Sequence, residues 1–410
     1  GVTVILTGLI ARELGATRRA QLLAALAAAL SVQVVATDHL LSTAAFDLLF
    51  WAATTFLFVR LIRTENGHIW MAIGAVVGVG LLNKYNIGFL VAAVLAGLLA
   101  DQRHRRLVLN RWAFAGGVLA LAIWSPNLAW SAQHQWASVA MLRALHRENS
   151  TISASITFLP AQFLIVGPVL APMWLGGLRR LLRHPLGRPI GVAYLVLVVT
   201  FVLSGAKPYY LGGIYFALFA AGGMWADARL DAGVSSLPRL LRWIAAGEAV
   251  AVAFALPVRP VGNLASGAWE GKIDKDLSAT VGWDHVVAQI AGIAEGLPAG
   301  ERAHLVVFTG DYGAAGAVDR FGSRYGLPQA FSGHNSYWWW GPPGAADGAT
   351  TIAVNLSSGY LGTIFADVTP AGTVDTGHGV WTEERGAPIF ICRHQKQAWA
   401  AAWPRARHYG

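Results

Sequence analysis

Residues 41–63 read LSTAAFDLLFWAATTFLFVRLIR. From Leu41 to Val59 the run is apolar except for hydroxyls and one carboxylate, Asp47, and it closes on Arg60 and Arg63. That approaches the roughly 20 residues an α-helix needs to cross a hydrocarbon core. In lipid every backbone amide must be satisfied within the segment, so such a run is expected to be helical. Working outward, further apolar stretches cover 20–36, 69–83, 85–100, 112–129, 159–178, 190–205, 211–226 and 241–257, and the chain opens on another, GVTVILTGLIA. Together they predict a polytopic α-helical membrane protein of about ten segments, the first incomplete. The composition agrees: 55% of the 410 residues are hydrophobic and 13% charged, about half the charge density usual in soluble chains, with a mean hydropathy of +0.48.

The breaks between these runs alternate. One set carries Arg12, Arg18 and Arg19; Arg60 and Arg63; Arg103, Arg105, Arg106 and Arg111; Arg179, Arg180, Arg183 and Arg188; and Arg229, Arg239 and Arg242. The other set holds only Lys84, Arg143, Arg147 and Lys207. The positive-inside rule makes the first set cytoplasmic and places 37–46, 84–86, 130–158 and 206–210 outside. The net charge of +9 is spread over these short breaks, not gathered on a soluble arm, which argues against nucleic acid as a partner. A single cysteine, Cys392, excludes an intramolecular disulfide. The opening run has its basic residues after it, unlike a signal peptide, and is read as the remainder of a helix that begins before Gly1.

From about residue 258 the composition turns to Gly, Pro, Asp and Thr. Strand-length runs (HLVVFTG, TTIAVNL, APIFICR) alternate with helix-like stretches (DHVVAQIAGIAEGL, AAGAVDRFGSRYG), the pattern of a small α/β domain. The expected organisation is a transmembrane domain over 1–257 and an extracytoplasmic α/β domain over 258–410.

The sparse charges of the outer breaks are the candidates for chemistry, because an ionisable residue at the end of a spanning helix is costly unless it is used. In TDHLLSTAAFD (37–47), Asp38 is either the N-cap of the following helix or a second carboxylate, and Asp47 lies deeper, as an interior-facing acid. Lys84 in GLLNKYNIGFL and Lys207 with Tyr209 and Tyr210 in GAKPYYLGG offer ammonium and phenol groups to a phosphate at headgroup depth, or anchor at the interface. The stretch WSAQHQWASVAMLRALHRENS (130–150) suits an interfacial amphipathic helix, with Arg143 and Arg147 as possible phosphate ligands. His39, His134 and His146 lack metal-ligand spacing, so a divalent metal is possible but unsupported. In the last domain, FTGDYGAAG follows a strand but lacks a dinucleotide fingerprint. The three tryptophans of SGHNSYWWWGPP cannot all face one core, which leaves a carbohydrate platform or an interfacial anchor.

The succession LLSTAAFDLLFW, GLLNKYNIGFL, GPVLAPMWLGGL and SGAKPYYLGG resembles bacterial members of glycosyltransferase family 39, which includes protein mannosyltransferases and the aminoarabinose transferases of lipid A. The likeness is greatest to actinobacterial members, whose outer domain carries a stretch similar to SGHNSYWWWGPP. The resemblance implies a GT-C fold, a polyprenyl-phosphate sugar donor and an active site on the outer face of the cytoplasmic membrane. It matches Asp47 to an acidic family position, Lys84 and Lys207 with Tyr209 and Tyr210 to donor-phosphate motifs, and Arg143 or Arg147 to a phosphate-binding cation. It also puts the principal general base in a loop preceding Gly1.

The reading that follows is an inverting hexosyl or pentosyl transferase acting on an acceptor hydroxyl of a glycan, lipid or protein. The rivals are a transporter or flippase of lipid-linked glycans, and a non-catalytic glycan-binding membrane protein.

Overall fold

The apolar runs of the first 256 residues all become helical, because a chain that cannot offer its amides to water bonds them internally. The computed structural model describes residues 1–149, 152–233, 237–256, 260–261, 278–344 and 346–409. It divides into two compact units, Gly1–Leu256 and Pro257–Gly410. The first unit contains α1 (Val2–Glu13), α2 (Arg18–Leu30), α3 (Val32–Asp38), α4 (Thr43–Thr64), α5 (Ile69–Asn83), α6 (Ile87–Ala100) and α7 (Arg111–Gln133). It continues with α8 (Ala137–Asn149), α9 (Ile152–Val166), α10 (Ala171–Arg183), α11 (Arg188–Ser204), α12 (Tyr215–Asp231) and α13 (Leu237–Ala255).

The boundaries follow local chemistry. Thr17 Oγ1 caps α2 by accepting from the Ala20 amide at 3.1 Å, and Asn110 Oδ1 caps α7 by accepting from Trp112 and Ala113 at 2.8 and 3.0 Å. Gly205, at φ 65°, ends α11 in the left-handed region. Small residues let helices approach closely: a Cβ on Gly74 of α5 would strike the backbone of Gly116 in α7.

Two expectations are corrected. Runs 20–36 and 159–178 are not continuous helices. The first bends by 57° between α2 and α3, and the second by 92° between residues 155–166 and 168–183. The expected number of spans also falls. By length and composition, Thr43–Thr64 and Arg111–Gln133 are each long enough to cross a membrane, and among the described residues up to four spans result if each bent pair counts as one. The apolar helices Ile69–Asn83, Ile87–Ala100 and Arg188–Ser204 are shorter. At 1.5 Å per residue, a 15-residue helix covers only about 22 Å of a core about 30 Å thick. An apolar count therefore overstates helix length wherever a run contains a break or an irregular end.

The second unit is built on a five-stranded sheet in the order β2-β1-β3-β5-β4. The strands are β1 (Val306–Thr309), β2 (Ala330–Ser332), β3 (Thr351–Val354), β4 (Phe365–Thr373) and β5 (Pro388–Gln395). β1 pairs in parallel with β2 and β3, while β5 runs antiparallel to both β3 and β4. Every residue of β1 and β3 is buried, as expected of parallel strands covered on both faces. Val286, Val287, Ile290 and Val318 belong to one core cluster, and Phe308, Phe365, Cys392, Trp399 and Trp403 to another.

In FTGDYGAAG, Asp311 Oδ1 caps the helix Tyr312–Phe321 by accepting from Ala314 at 2.6 Å. The tryptophans of SGHNSYWWWGPP lie in a 3-10 turn, Asn335–Trp340. Trp338 exchanges indole-to-carbonyl hydrogen bonds with Trp403 at 2.8 and 3.0 Å. The Arg407 guanidinium sits over the rings of Trp338 and Trp339 at 4.7 and 4.6 Å, whereas Trp340 is exposed.

Candidate functional site

Asn83 ends α5, and Lys84, Tyr85 and Asn86 form the break before α6; each polar side chain has a distinct neighbour. Asn83 Nδ2 donates to the Thr43 carbonyl at the start of α4 at 2.9 Å. Tyr85 Oη donates to Asn127 Oδ1 of α7 at 2.6 Å and lies 2.8 Å from Ser138 Oγ of α8. Asn86 Nδ2 is shared between Asp47 Oδ2 and the Tyr210 carbonyl, each at 3.1 Å. Asn86 thus joins α4, the α5–α6 break and the 3-10 segment Pro208–Ile214. Asp47 is buried, and its Oδ1 makes no hydrogen bond of normal geometry.

The 3-10 segment is clamped on several sides. Gln33 Nε2 of α3 donates to the Tyr209 carbonyl at 2.8 Å, and Gln162 Nε2 of α9 donates to the Pro208 carbonyl at 3.0 Å. Tyr215 Oη in turn donates to Gln162 Oε1 at 3.2 Å. A Cβ on Gly213 would collide with the buried Trp51 ring, so glycine there lets the segment sit flush against α4. Irregular backbone inside an apolar unit needs such partners, and the lone amides supply them.

Lys84 Nζ lies 5.2 and 4.8 Å from the ring centroids of Tyr209 and Tyr210, within cation–π range. The two rings meet edge to face at 4.9 Å. Burial pulls the Lys84 pKa below the usual lysine value; nearby Asp47 opposes this shift, and nearby Lys207 adds to it. The mutual repulsion places the two ammonium groups in one electrostatic neighbourhood with one carboxylate, a cluster of net positive charge. No salt bridge among the described residues involves Lys84 or Lys207. Such a site favours an anion, and lysine serves phosphate as a point charge.

Beside it runs an apolar cavity of about 610 Å³, lined among others by Leu81, Tyr85, Phe89, Trp124, Trp136 and Leu142. Tyr85, next in the chain to Lys84, lines this cavity and bonds Asn127 and Ser138. The arrangement is an anion-favouring group of charges one residue along the chain from an apolar cavity.

The structure therefore brings together Asp47, Lys84, Lys207, Tyr209 and Tyr210, and leaves out the other expected residues. Asp38 closes α3 and does not cap the next helix; the N-cap of α4 is Ser42. Arg143 and Arg147 are exposed on α8, and no described hydrogen bond or ion pair joins either to the cluster. His134 stacks on Trp130 at 4.1 Å, His39 Nδ1 lies 3.2 Å from the Val35 carbonyl, and the side chain of His146 is outside the described residues.

Asn86, Gln33, Gln162 and Tyr85 were not singled out from the sequence. Their available signal was a lone amide in an apolar run, or a neighbour of Lys84 inside an already conspicuous motif.

Residues 1–130 match the family model described as dolichyl-phosphate-mannose-protein mannosyltransferase. The match supports a membrane glycosyltransferase of the GT-C type. It spans Asp47, Lys84 and Asn86 and stops before Lys207 and the tyrosine pair. No curated protein and no solved structure matches the chain.

Proposed function

We propose, from the premise of a membrane glycosyltransferase matched over residues 1–130, that this chain transfers a hexosyl or pentosyl group from a polyprenyl-phosphate donor to an acceptor hydroxyl. The family's name includes a lipid-linked sugar. The observation that carries the reading is the pair of clustered lysines near an apolar cavity, which suits a molecule with a phosphate head and a hydrocarbon tail. In this reading the phosphate lies between Lys84 and Lys207, with the tyrosine hydroxyls as donors, and the tail follows the cavity past Tyr85. Asp47 holds Asn86 and balances one ammonium.

The acceptor oxygen attacks the anomeric carbon as its proton passes to a carboxylate base. The bond from that carbon to the phosphate oxygen breaks, its electron pair leaves on the phosphate, and the configuration inverts. Negative charge grows on the departing phosphate, where the fixed ammonium groups stabilise it. In this reading the chemistry takes place at the outer face of the cytoplasmic membrane, with the unit beyond residue 257 outside, and the positive-inside pattern of the arginines supports that orientation. The acceptor is a glycan, lipid or protein.

One observation favours a transporter of lipid-linked glycans as a second reading: two of the helical runs are broken, as is common in transporters. Membranes containing the full chain, incubated with radiolabelled polyprenyl-phosphate sugars, separate the two. Transfer predicts label leaving the lipid for an acceptor; transport predicts intact labelled lipid changing leaflet. Intact, unmoved lipid with every sugar contradicts both readings.

A further inference from the structure

Glu248 of α13 is wholly buried, and neither carboxylate oxygen makes a hydrogen bond of normal geometry. It sits where two interrupted helices meet. On one side is the α2–α3 break at Ser31, with the Val32 amide as a polar neighbour of the carboxylate. On the other is Gly167, at φ 113°, which begins the turn after α9. A Cβ on Gly167 would collide with Glu248 Oε1, so this break is shaped around the carboxylate. Ser31 Oγ donates to the Val166 carbonyl at 3.0 Å, tying the two breaks together.

An unpaired carboxylate in such surroundings costs several kcal/mol, so a positive charge has to accompany it. A proton would neutralise the carboxylate through one oxygen; a cation would do so while engaging both open oxygens. The Val32 amide and the Gly167 backbone meet the carboxylate, and Ser31 Oγ and the Val166 carbonyl lie one residue from each; carbonyls freed at helix breaks are groups that hold monovalent cations in membrane proteins. A single carboxylate matches a single charge.

We propose that Glu248, Ser31 Oγ and main-chain carbonyls at the breaks near Ser31 and Gly167 form a binding site for a monovalent cation of the sodium class. The bound ion fastens α3 and α9 to α13. Those two helices carry Gln33 and Gln162, which hold the Pro208–Ile214 segment, so occupancy braces the segment that follows Lys207. The site stands on its own geometry, and its test does not depend on sugar transfer.

The test is equilibrium binding of radioactive sodium ion to the purified full chain in detergent, with N-methyl-D-glucamine chloride holding ionic strength constant. The expected result is saturable binding, together with a sodium-specific rise in the thermal unfolding midpoint. Glu248→Gln weakens binding by more than about tenfold, as loss of a ligand group does. Because that variant can also alter folding, Ser31→Ala is measured beside it in a chain with wild-type circular dichroism, and weaker binding there supports the site. Absence of saturable sodium binding by the folded wild-type chain overturns the proposal. So does unchanged affinity in both variants, or a carboxyl that takes up protons but no sodium at any pH.

Discussion

The two ends of the helical unit treat charge in opposite ways. At the arginine-rich end, acids match Arg19, Arg60, Arg63 and Arg106. Buried Glu13 receives Arg60 and Arg63 at 3.4 and 2.5 Å. Buried Asp227 bonds Arg19 and accepts from Thr17 Oγ1 at 2.6 Å. Arg106 pairs with Glu65 at 2.9 Å. At the lysine end, two cations share a neighbourhood with one carboxylate and two aromatic rings. Matched charge fastens helices; unmatched charge leaves a field for a ligand. Cations are more numerous at the first end, but the second is the one suited to bind.

The sharpest way to break this contrast is to remove cations from each end. Lys207→Ala or Lys84→Ala is expected to lower sugar transfer about 100- to 1,000-fold, the usual loss of one preorganised charge stabiliser, with folding intact by circular dichroism. Replacing Arg60 and Arg63 together with alanine leaves Glu13 buried without its partners. That double variant should lose stability on the order of 3 kcal/mol in denaturant titrations, with the transfer rate of the folded fraction unchanged. Asn86→Ala cuts the link between Asp47 and the tyrosine segment, and the loss of a buried hydrogen bond to a charged group predicts transfer about tenfold slower. Arg143→Ala and Arg147→Ala remove exposed charges on α8, so each should change transfer by less than about fivefold.

The smallest effect is in pH dependence. Lys84 holds its proton less tightly than a solvated lysine, so donor affinity should fall on the alkaline side before the ordinary lysine range. Lys84→Arg should move that fall to higher pH in a donor-binding titration. Stability responds with the opposite sign: the folded chain binds this proton more weakly than the unfolded one, so the Lys84 contribution to stability rises with pH across its titration.

Much of this contrast was legible in the sequence, since alternating Arg-rich and Arg-poor breaks already sort the two ends and the motifs around Lys84 and Lys207 name the cations. Partners were not legible. Glu13, which lies at the end of the first apolar run, gave no sign that it would bind arginines some 50 positions away. Asn86 and Gln162 are single amides whose value depends on a backbone carbonyl brought close by tertiary folding. The helix breaks at Ser31 and Gly167 escaped because apolar counting does not register backbone angles. Asp38 illustrates the reverse error: its residue type suits an N-cap, but chain geometry gives that position to Ser42. In the second unit, runs 304–310 and 350–356 contain β1 and β3, and 387–393 covers most of β5, while β2 has three residues and β4 is mostly exposed. Neither short length nor exposure leaves an apolar run to find.

The most direct test of the central contrast is photocrosslinking of a sugar-free polyprenyl phosphate probe to the full chain in membranes. It compares the wild type, the Lys84→Ala/Lys207→Ala pair and the Arg60→Ala/Arg63→Ala pair. The account predicts that labelling disappears in the lysine pair and persists in the folded arginine pair. Labelling that survives loss of both lysines, or falls equally in the two pairs, would contradict it.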